Sequence, residues 1–167
     1  MSNVRDNQGA NQSTRIDILI AYMLSWAMKK IILDTNIFVS AILGSGGASR
    51  AILRDCLERK FLPLMGNALF REYEDLLQRD QIFASCILDK NERVILLGAF
   101  LSTCEWVTMY YRWRPSLRDE ADNHQIELAV AGGADYLVTK NIKDFKNPEL
   151  HFPALQIIDP IAFLKET

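Results

Sequence analysis

The chain has 167 residues, 49% apolar and 24% charged, which is enough for one domain whose core needs neither disulfides nor a structural metal. Its 19 basic and 21 acidic residues leave a formal charge of −2, which argues against a protein that coats nucleic acid by bulk electrostatics but leaves room for a local basic patch. Cys56, Cys86 and Cys104 are odd in number and lack Cys-x-x-Cys or Cys/His spacing, so neither a disulfide framework nor a zinc site is indicated. They read as core thiols in a reducing cytosol.

Residues 1–14 are polar and featureless, and 16–27 turn apolar. The apolar stretch is shorter than the roughly 20 residues a membrane span takes. It has the length of a signal-peptide core, and Ser25-Trp26-Ala27 loosely resembles a cleavage site. Against that, Asp17 interrupts the run, Arg15 alone flanks it, and Met28-Lys29-Lys30 opens the next strand as a chain start would. The expectation is a disordered or loosely packed extension over 1–27, a single domain over 28–167, no membrane segment and a cytoplasmic location.

From Met28 onward, short apolar runs alternate with helical patterns, the signature of a parallel sheet covered by helices on both faces. The strand runs are Ile31-Ile32-Leu33, 61–65, 106–109, Tyr136-Leu137-Val138 and 155–158. Pro63 cannot donate to a ladder, so the second run is expected to be an edge strand or only partly paired. Apolar residues at three- and four-residue spacing predict helices over 48–59, 68–77, 91–101 and 121–131, the last stopped by Gly132-Gly133. A short helix over 161–165 follows Pro160, and 110–118 forms a surface loop broken by Pro115 and Ser116. The fold class is a three-layer α/β domain with about five strands.

The residues able to carry chemistry are mostly acids at strand ends. Asp34 directly follows three aliphatics, where a parallel strand leaves the sheet and open α/β sheets bind ligands; alternatively it caps a helix beginning near Asn36. Asp119 and Asp122 precede a helix and read equally as a capping pair. Three acids within 119–122 nevertheless repel one another and invite a counter-charge such as a metal ion. Glu72 and Glu74 lie on the helix after the second strand, where a solvated face is the ordinary explanation. Asp144, in Lys140-Asn141-Ile142-Lys143-Asp144 after another strand end, is either a turn residue or part of a site. Gly44-Ser45-Gly46-Gly47 lies too far past its strand for a phosphate loop, and His124 and His151 have no Ser or Cys partner at recognisable spacing. Tyr110-Tyr111-Arg112-Trp113-Arg114 interleaves rings with cations, the combination that stacks on bases and pairs with phosphates, or else a loop whose rings pack inward.

Ile31-Ile32-Leu33-Asp34-Thr35-Asn36, followed by Ile37-Phe38-Val39-Ser40, resembles the Leu-Asp-Thr-Asn opening of PIN domains. Asp119-Glu120-Ala121-Asp122-Asn123-His124, then Glu127-Leu128-Ala129 and Ala134-Asp135-Tyr136-Leu137-Val138-Thr139, resemble the second half of the same family in order and spacing. The likeness covers about 28–164 and is closest to the toxin components of bacterial toxin–antitoxin pairs. It implies a ribonuclease in which acids hold Mg²⁺ or Mn²⁺ and activate water against a phosphodiester. Carried over by position, Asp34 is the strand-one acid and Glu72 the acid on the later helix. Asn36 and Thr139 are polar supports. Many members have Asp where this chain has Asn123 and Asn141; Asp122 and Asp144 stand one and three positions away as replacements.

The resemblance and the residue readings together give Asp34, Glu72, Asp122 and Asp144 as catalytic acids, the last two as replacements, with Asn123 and Asn141 in support; the acid cluster adds Asp119 as a further metal ligand, and the interleaved rings and cations put Arg112, Trp113 and Arg114 against RNA. A cognate antitoxin and a homodimer are the implied partners. The alternative is a PIN-fold module binding RNA or protein with weakened catalysis, since Asn binds a hard cation less strongly than carboxylate. An aspartyl-phosphate mechanism would need a second Asp two residues after Asp34, where Asn36 stands.

Overall fold

The computed structural model describes residues 16, 28–44, 47–108, 123–145 and 152–167. Five strands form one parallel sheet: β1 (Lys30–Leu33), β2 (Leu62–Met65), β3 (Glu105–Trp106), β4 (Tyr136–Val138) and β5 (Gln156–Ile158), in the order β3-β2-β1-β4-β5. The helices among the described residues are α1 (Thr35–Leu43), α2 (Ala48–Leu57), α3 (Asn67–Leu77), α4 (Lys90–Leu101), α5 (Asn123–Gly132) and α6 (Pro160–Glu166). A single 3₁₀ turn covers Asp80–Phe83. The chain steps outward from β1 to β3, then returns to the other side of β1. With right-handed crossovers, this reversal puts connections on both faces of the sheet.

The central strands are continuous apolar runs because they are buried on both sides and need no alternation. Ile31, Ile32, Leu33, Leu64, Met65, Leu137 and Val138 are all buried. Phe38, Tyr73 and Phe100 bring α1, α3 and α4 together, with ring centroids 5.0 to 5.9 Å apart. Helix ends follow local chemistry. Asp89 and Glu92 close a reciprocal capping box on α4, and Asp159 caps α6 just before Pro160. Gly133 adopts φ +65° where α5 ends, so the expected stop is realised. A Cβ on Gly132 would meet Leu64 Cδ1 at 2.5 Å, so the last turn of α5 lies directly against β2.

Pro63 corrects one expectation. β2 is an interior strand, pairing with β1 through Leu62 and Pro63 and with β3 through Leu64 and Met65, so the edge assignment fails and the partly paired one holds. Leu62 N–H donates to Lys29 O on the β1 side and Val107 N–H donates to Met65 O on the β3 side. Alternation then turns the proline nitrogen toward β3, below the point where that ladder begins.

Cys56 is buried, Cys86 and Cys104 are partly so, and all three are free thiols. Among the described residues, no single helix is long and apolar enough to cross a membrane. Of the 1–27 extension, only Ile16 is among the described residues.

Candidate active-site cleft

The sheet order reverses between β1 and β4, and the carboxyl ends of these two strands meet there. Asp34 follows β1 and Thr139 follows β4. Asp34 N–H donates to Val138 O at 3.0 Å, which continues the ladder one residue beyond the strands. Both expectations for Asp34 are realised together. As the cap of α1 it accepts from Asn36 N at 3.3 Å, yet its side chain also lines an open cleft.

The carboxylate is fixed by a dense set of donors. Thr139 Oγ1 donates to Asp34 Oδ2 at 2.5 Å and Asn36 Nδ2 donates to the same oxygen at 2.6 Å. Thr35 Oγ1 reaches Oδ1 at 3.3 Å. Thr139 Oγ1 in turn accepts from Asn141 N at 3.0 Å, and Asn36 Oδ1 accepts from Lys140 N at 3.4 Å, which ties the loop after β4 to the start of α1. Asp34 is 7% exposed and Thr139 0%, so the acid is held in one orientation by buried partners.

The opposite wall comes from α3. Glu72, Asp75, Leu76 and Arg79 occupy one stripe at i, i+3, i+4 and i+7, continuing past the helix end, and all four line the cleft. Tyr73, next to Glu72, turns the other way and donates from its hydroxyl to Leu33 O at 2.9 Å, fastening α3 to the end of β1. Burial pushes the Tyr73 phenol well above its ordinary pKa, so it serves as a neutral donor. Glu72 Oε1 lies 3.4 Å from His124 Nε2 on α5. Arg79 is exposed and forms no ion pair among the described residues.

The cleft has a volume of about 310 Å³ and is completed by Thr35, Asn36, Gln125, Asn141 and Phe145. Of the residues expected from sequence, it brings together Asp34, Asn36, Glu72 and Asn141 as lining, with Thr139 directly behind Asp34. Glu74 is exposed and away from the lining. Asp144 is also exposed; its N–H donates to Asn141 O in a turn that leaves Asn141 and Phe145, rather than Asp144, on the wall. Asn123 is the first residue of α5, immediately before His124 and Gln125. Asp119, Asp122, Arg112, Trp113 and Arg114 lie outside the described residues.

Asp75, Arg79 and Gln125 escape a reading based on motifs. Asp75 and Arg79 share a helical stripe with Glu72, but spacing alone does not say that this stripe borders a cleft. Gln125 leaves a fainter signal, a polar residue where Ile126, Leu128 and Ala129 mark the helix as core-facing.

The oxygen donors in the cleft suit a hard divalent cation: Asp34, Glu72 and Asp75 supply carboxylates, Gln125 and Asn141 amide oxygens. Among the described residues, no three Asp, Glu, His or Cys side chains already stand close enough together to hold an ion. Asp34 and Glu72 both line the cleft, and an ion bound there would need further oxygens from water, ligand or the chain.

An open parallel sheet with an anchored acid at its switch point and a second acid facing it defines the class as an α/β domain with a carboxylate cleft. Residues 30–143 match the family model described as PIN domain, which is more than half of the chain. The chain belongs to the PIN domain family. Among solved structures it is similar to a chain in "Crystal structure of VapBC2 from Rickettsia felis bound to a DNA fragment from their promoter", with a TM-score of 0.54 and 22% identity over 78% of this chain and 98% of that one. That likeness is one of fold. No curated protein matches.

Proposed function

We propose that the cleft is the active site of a Mg²⁺- or Mn²⁺-dependent endoribonuclease, the toxin half of a toxin–antitoxin pair acting in the cytoplasm. The observation that carries this reading is Asp34, locked by Thr139 and Asn36 at the sheet's switch point and opposed by Glu72 across a polar cleft. When bound, the metal would supply charge neutralisation at the phosphate and a more acidic water. Asp34 and Glu72 would hold it, with Asp119 and Asp122 from the segment before α5 as further acids of the set, while Asp144, exposed and off the cleft wall, would contribute only if the turn after β4 moved.

The chain's own contributions follow from its geometry. The Asp34 carboxylate is oriented before ligand arrives, so little reorganisation is needed on binding. Arg79 offers a cation at the cleft wall for a phosphate that the surrounding acids would otherwise repel. Arg112, Trp113 and Arg114 extend the RNA path beyond the cleft in this reading. A cognate antitoxin would cover the acidic cleft with a basic side chain, and the toxin would pair as a homodimer. Support for the antitoxin is the fold shared with a chain of the VapBC2 assembly.

The test is cleavage of single-stranded RNA in Mn²⁺ or Mg²⁺. Activity abolished by EDTA and lowered at least a hundredfold by Asp34→Asn is expected, a loss on the order of that seen when one electrostatic catalytic group is removed. Metal-independent cleavage, or full activity in Asp34→Asn, sinks the proposal. The rival is a module that binds RNA or protein without cutting, favoured by the neutral Asn123 and Asn141; RNA binding with no cleavage in either metal would select it.

A further inference from the structure

Gln125 sits in the first turn of α5 and lines the cleft together with Asp34 and Glu72. It is 1% exposed, and among the described residues its Oε1 has no hydrogen-bond partner. Its neighbours Ile126, Leu128 and Ala129 are core residues, so an apolar side chain would satisfy packing here without a desolvation cost. A buried amide oxygen left without a donor needs another explanation.

The surrounding groups do not provide that donor. Asp34, Glu72 and Asp75 offer carboxylate oxygens, the Asn36 amide nitrogen is directed to Asp34 and Thr139, and the Thr35 hydroxyl is directed to Asp34. Arg79 and Asn141 also bring N–H donors to the lining, but neither reaches Gln125 Oε1, which leaves that oxygen to be satisfied by whatever enters.

Resting on the metal-nuclease reading of this cleft, we propose that Gln125 is a positioning residue whose Oε1 accepts a hydrogen bond from a hydroxyl group of the incoming ligand. Two sources carry that chemistry: a water on the bound cation, or the 2′-hydroxyl by which RNA differs from DNA. In either case the amide fixes the ligand's orientation against Asp34.

Gln125→Met keeps the shape and removes the acceptor. The variant should melt at or above the wild-type temperature, because it relieves a buried unmatched oxygen. Two titrations then locate the donor: Mn²⁺ by calorimetry, and a short single-stranded oligoribonucleotide against its 2′-deoxy analogue, read by anisotropy in Ca²⁺. One of the two should weaken about tenfold, the usual scale of one lost hydrogen bond in a dry site. Weaker Mn²⁺ binding identifies the cation's water. Unchanged Mn²⁺ binding with loss of preference for the ribose form identifies the 2′-hydroxyl. Wild-type levels in both titrations, or a lower melting temperature, overturn the assignment of Gln125 alone. Wild-type protein that takes up neither probe removes the nuclease reading and this one with it.

Discussion

Thr139 is the residue on which the geometry of the cleft most depends. Its hydroxyl donates to Asp34 and accepts from Asn141 N and Asn36 Nδ2, so one buried oxygen joins both strand ends and the following loop. Thr139→Val preserves shape and removes all three contacts, leaving a carboxylate oxygen short of a donor and a backbone N–H without its acceptor. The expected loss is about 1–3 kcal/mol of stability by urea unfolding and, on the proposed function, a larger fractional loss of RNA cleavage because Asp34 gains rotational freedom. A variant with wild-type stability would show that Asp34 is held by Asn36 and the helix cap alone. Asp34 itself illustrates how two explanations that compete in a sequence can coexist in a fold. An acid placed to cap α1 is also placed at the sheet's carboxyl edge, because the helix starts where the strand stops.

At the scale of elements, the cleft exists because α3 is fastened to β1. Tyr73 hydrogen-bonds Leu33 O and packs its ring on Phe38 and Phe100, which leaves Glu72, Asp75 and Arg79 facing the cleft. Tyr73→Phe retains the ring and deletes the hydroxyl, so a destabilisation of about 1–2 kcal/mol is expected by denaturant titration and, on the proposed function, reduced RNA cleavage as Glu72 loosens. An unchanged midpoint would mean that ring packing alone seats the helix. The strands β1 and β4 and the strand-end position of Asp34 were legible in the sequence, because buried parallel strands are continuous aliphatic runs and this acid ends one of them; Glu72 was singled out only by the family resemblance. β2 was half legible. Pro63 lacks a donor, and only the register tells which side that missing donor faces. Arg79 and Gln125 were hidden for a related reason: the phase of α3 and α5 against the sheet is set by tertiary packing, and helical spacing alone does not say which stripe borders a cleft. The proximity of Asp144 to a strand end in sequence was no guide to the lining, since the turn after Asn141 directs Phe145 onto the wall and leaves Asp144 exposed.

Across the whole molecule, burial fixes the protonation of the core. It pushes the Cys56 thiol far up, the Cys104 thiol up to about 12, and the Tyr73 phenol upward as well. The folded protein therefore keeps protons that the unfolded chain releases once pH exceeds the ordinary thiol value of 9.0. A raised acid pKa gives stability that is complete below the unfolded value and lost as pH climbs above it. Melting temperature should be flat from about pH 7 to 8.5 and fall steadily beyond about pH 9; a profile flat to pH 10.5 would contradict a core that holds these groups neutral. The same chain gathers Asp34, Glu72 and Asp75 along one cleft while its overall charge is −2, so the proposed cation binding would be a property of the cleft and not of the surface.

The most direct measurement of the central claim is calorimetric titration of the full chain with Mn²⁺, comparing wild type with Asp34→Asn. Saturable binding to the wild type is expected to fall at least tenfold in the variant, with both proteins folded at the titration temperature by circular dichroism. Equal Mn²⁺ binding by the two proteins would contradict it, for Asp34 would then not head the site.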